Sequence, residues 1–480
     1  MSKILYISSE AFPLIKTGGL ADVAGSLPST LLKNKQDIRL LIPAYPEVMD
    51  KLIKQKIIAK TSYYNLPTAI IESRLPGTNV IVWAVDCPAA FDRPGSPYTN
   101  QYGQAWDDNA LRFAIFCRVA VDIAINTLAL DWKPDIVHCN DWQSGLVPAL
   151  LSSYKERPAT VFTIHNLAYQ GLFDYQTFVD LQLPNELWSM NSLEFYGQLS
   201  FIKGGIAFAD KITTVSPRYA TEILQPEFGY GLDGLLQYRE NDLSGILNGI
   251  DEKFWNPGTD NFISQKYNKR SLSKKPDNKT SLQKEFGLTI DKSIPMIGMI
   301  SRLVEQKGLD IILKSLSTLV KLPCQLVFLG TGEIHYEMQL KGWAKKYPDK
   351  INVVIGYNES LAHQIEAASD LYLMPSTFEP CGLNQLYSLI YGTLPIVNDV
   401  GGLADTVIDA TQSNIKNNTA NGFVLKQYSA AALFNAVEHA LSLYLNKDLW
   451  QQLQTTAMSS NFSWQVSAKH YIELYQKIIK

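Results

Sequence analysis

The sequence predicts an α/β chain of two doubly wound domains, each a parallel sheet covered by helices on both faces. Three features predict it. Short β-branched runs alternate with helical patterns along nearly the whole chain. The alternation breaks at the Gly-, Asn- and Pro-rich stretch from Gly245 to Gly258 and then restarts. The pentapeptide Gly-Gly-Leu-Ala-Asp occurs twice, at Gly18–Asp22 and Gly401–Asp405, each time after a strand. The 480 residues also exceed the ~250–300 at which a single core stops growing. The expected bounds are 1–245 for the first domain and 246–462 for the second. The closing helix, 463–480, is expected to return to the first.

The first domain opens with strand Lys3–Ser8, then a loop containing Lys16-Thr17-Gly18-Gly19 and a helix from about Leu20. Paired glycines before a helix let backbone approach a ligand closely, and Lys16 offers a point charge. Strands follow at Ile38–Ile42 and Val80–Val85, then a polar loop, Asp92 to Tyr98. A helix near Asp108–Leu128 leads to strand Asp135–Cys139, and a helix near Gly145–Tyr154 leads to strand Thr160–Ile164. A helix near Ser200–Ala209 and a strand Ile212–Val215 complete the domain. In parallel sheets ligands lie beyond the carboxyl ends of strands. That rule selects Glu10–Lys16, the His138-to-Trp142 segment with Asp141, and His165-Asn166. Taken singly, His165 fits a satisfied structural histidine and Asp141 a helix N-cap.

The basic run from Lys266 to Lys279 reads as a solvated linker and helix start. Strand Met296–Ile300 then leads into Ser301-Arg302-Leu303-Val304-Glu305-Gln306-Lys307-Gly308. Arg302 supplies a guanidinium fork and Lys307 a compact charge, the combination a diphosphate requires. Further strands are expected at Gln325–Leu329, Asn352–Ile355, Leu371–Met374, Leu394–Val397 and Gly422–Leu425. Between Met374 and the helix through Leu386 stands Glu379, one carboxylate among the free N–H groups of a helix start. Such a place suits an anionic leaving group beside a centre that develops positive charge. It also suits simple electrostatic capping. The last helix, near Trp464–Ile478, carries an apolar stripe at Trp464, Ala468, Tyr471, Tyr475 and Ile478.

Composition narrows the function classes. A net charge of −3 argues against nucleic acid or an anionic membrane as partner. Five scattered cysteines suggest neither a disulfide framework nor a zinc site. The longest apolar helix candidate carries Arg112, Arg118 and Asp122, so it does not read as a membrane span. Met1 leads straight into a strand, so a cytoplasmic location is expected. The Asp-x-Asp pattern, a usual metal clamp for sugar diphosphates, is absent from the sequence.

The motifs in this order resemble those of bacterial glycogen synthases and plant starch synthases, retaining glucosyltransferases of the GT-B fold. They include Lys16 to Asp22, Asp92 to Tyr98, Asn140-Asp141-Trp142, His165 to Gly171, Leu247-Asn248-Gly249, Ser301-Arg302-Leu303, Gln306-Lys307-Gly308, Phe378 to Leu386, Tyr391-Gly392-Thr393 and Gly401 to Asp405. The resemblance implies two Rossmann-like domains facing across a deep cleft. It implies transfer of glucose from ADP-glucose to the non-reducing end of an α-1,4-glucan such as glycogen or maltodextrin. No metal or other cofactor is expected.

By position, Glu379, Lys307, Arg302 and His165 would be the catalytic group. Arg302 and Lys307 would hold the diphosphate with backbone N–H groups of Gly18, Leu383 and Asn384. Lys16, Gly19 and Asp22 would lie near the phosphates and sugar. Asp141, Asn248, Cys381 and Gly382 would line the sugar pocket, Tyr357 would stack on the adenine, and Tyr98 would touch the acceptor. Two departures stand out: Tyr387 occupies the place of a second glutamate that many relatives use on the ribose, and Asn140 and Gln143 stand where many carry His. The alternatives kept open are transfer from UDP-glucose and a glucan phosphorylase, which needs a lysine-bound pyridoxal phosphate.

Overall fold

The computed structural model describes residues 1–479. The chain divides into two compact units. One comprises Met1–Gly249 with the terminal helix Trp464–Ile478, and the other Ile250–Ser463.

The strands of the first unit are β1 (Lys3–Ile7), β2 (Asp37–Pro43), β3 (Lys56–Tyr63), β4 (Leu66–Arg74), β5 (Ile81–Asp86), β6 (Ile136–Asn140), β7 (Ala159–Ile164), β8 (Leu172–Phe173), β9 (Glu194–Phe195), β10 (Gln198–Ser200), β11 (Lys211–Thr214) and β12 (Leu243–Gly245). Nine of them form one sheet in the order β12-β11-β7-β6-β1-β2-β5-β4-β3. Its centre is parallel, with Ile4 opposite both Ile38 and Ile136. The runs Ile4–Ile7 and Ile136–Asn140 are wholly buried because helices cover both faces.

The antiparallel pair β3–β4 is a correction: residues 56–74 form two strands where the sequence pattern predicts none. Its residues mix lysine and hydroxyl groups with apolar runs no longer than three, and β3 lies at the sheet edge, so no long apolar run marks it. His138 and His165 therefore lie at the sixth and seventh strands rather than the fourth and fifth.

The terminal helix buries Trp464, Ala468, Tyr471 and Tyr475. It packs on the helix Gly19–Lys33, and the Tyr475 hydroxyl lies 2.7 Å from Nδ1 of the buried His138.

The second unit holds one parallel sheet of β13 (Met296–Ile300), β14 (Gln325–Gly330), β15 (Ile351–Ile355), β16 (Leu371–Met374), β17 (Leu394–Asn398) and β18 (Phe423–Leu425). Their order is β15-β14-β13-β16-β17-β18. The basic run before it is not uniformly solvated. Lys275 and Lys279 are 3% and 1% exposed. Lys279 pairs with Asp370 at 2.6 Å, while Lys275 donates to the Glu366 and Ala367 carbonyls and to Thr393. Burial pushes the Lys275 ammonium down to about 7.

Both sheets change their direction of growth beside their first strand. In one, β1 lies between β2 and β6; in the other, β13 lies between β14 and β16. Such a switch point opens a crevice beyond the strands' carboxyl ends. Among the described residues, no helix is long and apolar enough to cross a membrane.

Candidate active site

In the second unit the switch point falls between β13 and β16, and the loops leaving those strands carry the predicted charges. Lys307 Nζ lies 2.5 Å from Glu379 Oε2, and Ser376 Oγ donates to the same oxygen at 3.1 Å. Glu379 is 7% exposed, so its carboxylate is held by partners rather than by water. The two loops are also joined through backbone. Thr377 N–H donates to the Gln306 carbonyl and Gln306 Nε2 to the Phe378 carbonyl, both at 2.9 Å. Arg302 is exposed on the same loop as Lys307, with Nη2 at 3.4 Å from Gln306 Oε1.

The second Gly-Gly pair supports this loop from behind. Gly402 N–H donates to the Glu379 carbonyl at 3.0 Å. A Cβ on Gly401 would come within 2.0 Å of that carbonyl oxygen, and one on Gly402 within 2.0 Å of the Cys381 oxygen. Cys381 and Gly382 are buried in the same turn, where Gln385 Nε2 donates to both carbonyls at 2.9 Å. Leu383 and Asn384 open the helix Asn384–Ile390, whose first N–H groups lack intrahelical partners. Asn384 is fixed by its side chain, which donates to the Ile300 carbonyl at 2.5 Å and the Tyr372 hydroxyl at 2.7 Å. Tyr357, just past β15, is 76% exposed and bonds Glu359 through its hydroxyl. Tyr387 is packed among aromatic rings. It is 5% exposed and stacks on Trp255 at 3.9 Å, which stacks in turn on His363 at 3.8 Å.

In the first unit the switch point gathers a second cluster. Glu10, just past β1, opens the stretch Glu10–Lys16 that the strand-end rule selects; without a role of its own in that reading, it organises the Gly-rich loop. Its carboxylate accepts from Thr17 N–H at 2.6 Å, Thr17 Oγ1 at 2.6 Å, Gly18 N–H at 3.2 Å and the Tyr98 hydroxyl at 2.5 Å. The Gly18 N–H assigned to phosphate is thus occupied by this carboxylate. A signal for Glu10 exists in the sequence: an acid immediately after the first strand, eight residues before a Gly-Gly turn whose N–H groups need acceptors. Lys16 pairs with Asp22 at 3.0 Å, and Gly18 and Gly19 are exposed.

Asp141, at φ 54°, holds the N-cap position of the short turn Trp142–Ser144, but its side chain does not cap it; instead Oδ1 accepts from His165 N–H at 2.7 Å and Asn166 N–H at 3.4 Å. Desolvation pushes the Asp141 carboxyl up to about 7 and the His165 imidazole down to about 3. Asn140 is fully buried, with Oδ1 2.9 Å from His165 Nε2, so it contacts no ligand itself. Gln143 is 5% exposed. Asn248 is buried, its Oδ1 without a hydrogen-bond partner among the described residues. A cavity of about 610 Å³ opens beside Trp142, lined by the rings of Trp106, Tyr169, Phe173, Phe195 and Tyr230. It adjoins Tyr98, whose carbonyl accepts from Trp106 N–H and Asn109 Nδ2. Among the described residues, no group of three or more His, Cys, Asp or Glu side chains is placed to hold a metal ion.

Comparison with known proteins identifies the family and the fold. The family described as starch synthase catalytic domain matches residues 3–238, and that described as glycosyl transferases group 1 matches residues 282–456. The glycogen synthase of Cellvibrio japonicus (strain Ueda107) is 54% identical over 480 residues, with all of both chains covered. The chain belongs to the glycogen synthase family. It is a glycosyltransferase. Glycogen synthase 1 of Methylococcus capsulatus is 52% identical, covering 99% of this chain and 97% of its own.

Among solved structures, the catalytic domain of starch synthase IV from Arabidopsis thaliana, bound to ADP and acarbose, superposes with a TM-score of 0.90 at 31% identity. That match covers 100% of this chain and 99% of the other. Sucrose-phosphate synthase from Thermosynechococcus elongatus, at 16% identity and TM-score 0.60, shares the fold. The two α/β units are thus those of a GT-B glycosyltransferase, and this glycogen synthase family member carries its charged loops at the switch points.

Proposed function

We propose that the enzyme transfers glucose from ADP-glucose to the non-reducing end of an α-1,4-glucan, with retention of configuration. The observation that carries the reading is the Lys307–Glu379 contact at the second unit's switch point, with Arg302 on the same loop. In this reading Arg302 and Lys307 draw off the departing diphosphate, and N–H groups of Leu383 and Asn384 assist. Preorganised charge of this kind acts where negative charge develops, and it is stronger when water is excluded.

Glu379 contacts the donor glucose and supports the cationic centre, with Cys381 and Gly382 beside it. His165, Asp141 and Asn248 contact the sugar, and Lys16, Gly19 and Asp22 lie close to phosphates and sugar. Gly18 contributes backbone only if its N–H exchanges Glu10 for phosphate. With one carboxylate in the group, the incoming 4-hydroxyl attacks from the face the diphosphate leaves, and the departing phosphate takes its proton. No metal is required, because two side-chain cations supply the charge; chelator should leave turnover unchanged.

Tyr357, exposed beyond a strand end, stacks on the adenine. On the acceptor side, Tyr98 and the aromatic cavity beside it suit the apolar faces of glucosyl units. That a starch synthase relative of known structure was bound to ADP and acarbose supports both halves of the reading. The deciding experiment compares initial rates with ADP-glucose and UDP-glucose on glycogen. The expected preference for ADP-glucose is at least tenfold in kcat/KM. Equal or better use of UDP-glucose would refute the donor assignment.

A further inference from the structure

We infer that Asn140 is a positioning residue: it holds His165 as the Nε2–H tautomer and so leaves Nδ1 to accept a hydrogen bond from a hydroxyl of the transferred sugar. The claim about the sugar rests on the proposed role of His165; the claim about the proton does not.

Hydrogen-bond bookkeeping fixes the proton. The Asn140 amide nitrogen lies 2.9 Å from the Ile7 carbonyl, which can only accept, so that atom is the NH₂ group. Its oxygen is then the atom facing Tyr6 OH at 3.1 Å and His165 Nε2 at 2.9 Å. An amide oxygen only accepts, so Nε2 carries the hydrogen. A neutral imidazole has one N–H, and burial keeps this ring neutral by pushing it down to about 3. Nδ1 therefore presents a lone pair. It makes no hydrogen bond among the described residues and is not one of the sealed, unpartnered atoms.

The groups around the ring leave this assignment alone. Asp141 is engaged by the His165 main-chain N–H, not by the imidazole. His138 is occupied by Tyr475 and Thr163 and is itself pushed down to about 3, by burial first and then by His165. Tyr6 is pushed well up by burial, so it stays a neutral donor. Asn140 in turn is held between two strands, its own at the end of β6 and β1 through Ile7.

The test combines a spectrum and a pH profile. In protein labelled with ¹⁵N-histidine, His165 should show a protonated Nε2 and a bare Nδ1 across neutral pH. Asn140→Leu should mix the tautomers and lower kcat roughly tenfold at every pH, the loss of one oriented hydrogen bond. Asn140→Asp keeps an acceptor oxygen but adds charge. It should hold near-normal kcat at high pH and gain an acid limb as the ring begins to titrate near neutrality. An Nδ1–H signal in the unaltered enzyme, or Asn140→Leu with full kcat and an unchanged pH profile, overturns the inference. If the leucine variant fails to fold, the spectrum of the unaltered enzyme and the aspartate profile still decide. Full turnover by His165→Ala would instead refute the sugar contact while leaving the tautomer standing.

Discussion

Lys307 Nζ and Glu379 Oε2 lie 2.5 Å apart although 72 positions separate them in the chain. Each sits on the loop that leaves one of the two strands flanking the switch point, so the topology creates the pair. If both act on the same charge transfer, their losses are not additive. Lys307→Ala should lower kcat by about 10²–10³, as removal of one oxyanion donor does, and Glu379→Ala should lower it severely too, because it removes the negative charge that supports the cationic centre. The double variant should fall by clearly less than the product of the two. Steady-state kinetics on glycogen checks this; strictly multiplicative losses would mean the residues act separately.

Glu10 is the acceptor for Thr17, Gly18 and Tyr98, so it should set the shape of the Gly-rich loop. Glu10→Ala leaves the exposed Thr17 and Gly18 N–H groups to water and the Tyr98 hydroxyl to Ser9 Oγ alone, 2.8 Å away, at roughly 1–3 kcal/mol for any donor that stays buried and unpaired. The expected result is a Tm several degrees lower and kcat/KM down about tenfold. Tyr98→Phe removes one donor of the set and should do less on both counts. Differential scanning calorimetry beside kinetics separates loop shape from global stability.

How far the sequence carried differs between the two levels of structure. The buried parallel strands were legible because helices cover both faces and the strands become unbroken apolar runs, as in Met296–Ile300 and Leu371–Met374. The β3–β4 pair was not, since an edge strand shows polar residues to water and imitates a loop. Among candidate site residues, the placement of Arg302, Lys307 and Glu379 was legible, as charged residues just past a strand. For Glu10 the position was legible and the role was not, because that role depends on N–H groups and on a tyrosine 88 positions away. Lys275 and Lys279 misled for the opposite reason: charge in sequence reads as surface, whereas carbonyl oxygens and Asp370 receive these ammonium groups inside the fold.

The repeated pentapeptide gives two glycine pairs with different duties. A Cβ on Gly18 meets nothing within 4 Å, whereas one on Gly402 meets the Cys381 backbone at 2.0 Å. Gly18→Ala should keep Tm and, if phosphate approaches that backbone, still lose activity through a higher KM for the donor. Gly402→Ala must shift the Glu379 loop; it should lower stability by about 1–3 kcal/mol, as overpacking does, and kcat with it. A Gly18→Ala enzyme with unchanged donor KM would remove that loop from the phosphate site.

Asp141 gives a pH test whose sign is set by its environment. Desolvation outweighs the His165 and Asn166 N–H groups and raises its carboxyl from 3.8 to about 7. Between those values the folded protein holds a proton that the unfolded chain has released. Stability from this group therefore falls as pH rises through the window, by at most about 1.4 kcal/mol per pH unit, and is level above it. Asn at this position keeps an acceptor oxygen for both N–H groups but cannot ionise. Urea titrations at pH 5 and pH 8 should then show Asp141→Asn gaining on the unaltered enzyme as pH increases. A difference that stays constant, or moves in favour of the unaltered enzyme as pH rises, would mean that the two backbone N–H groups, not burial, govern this carboxyl.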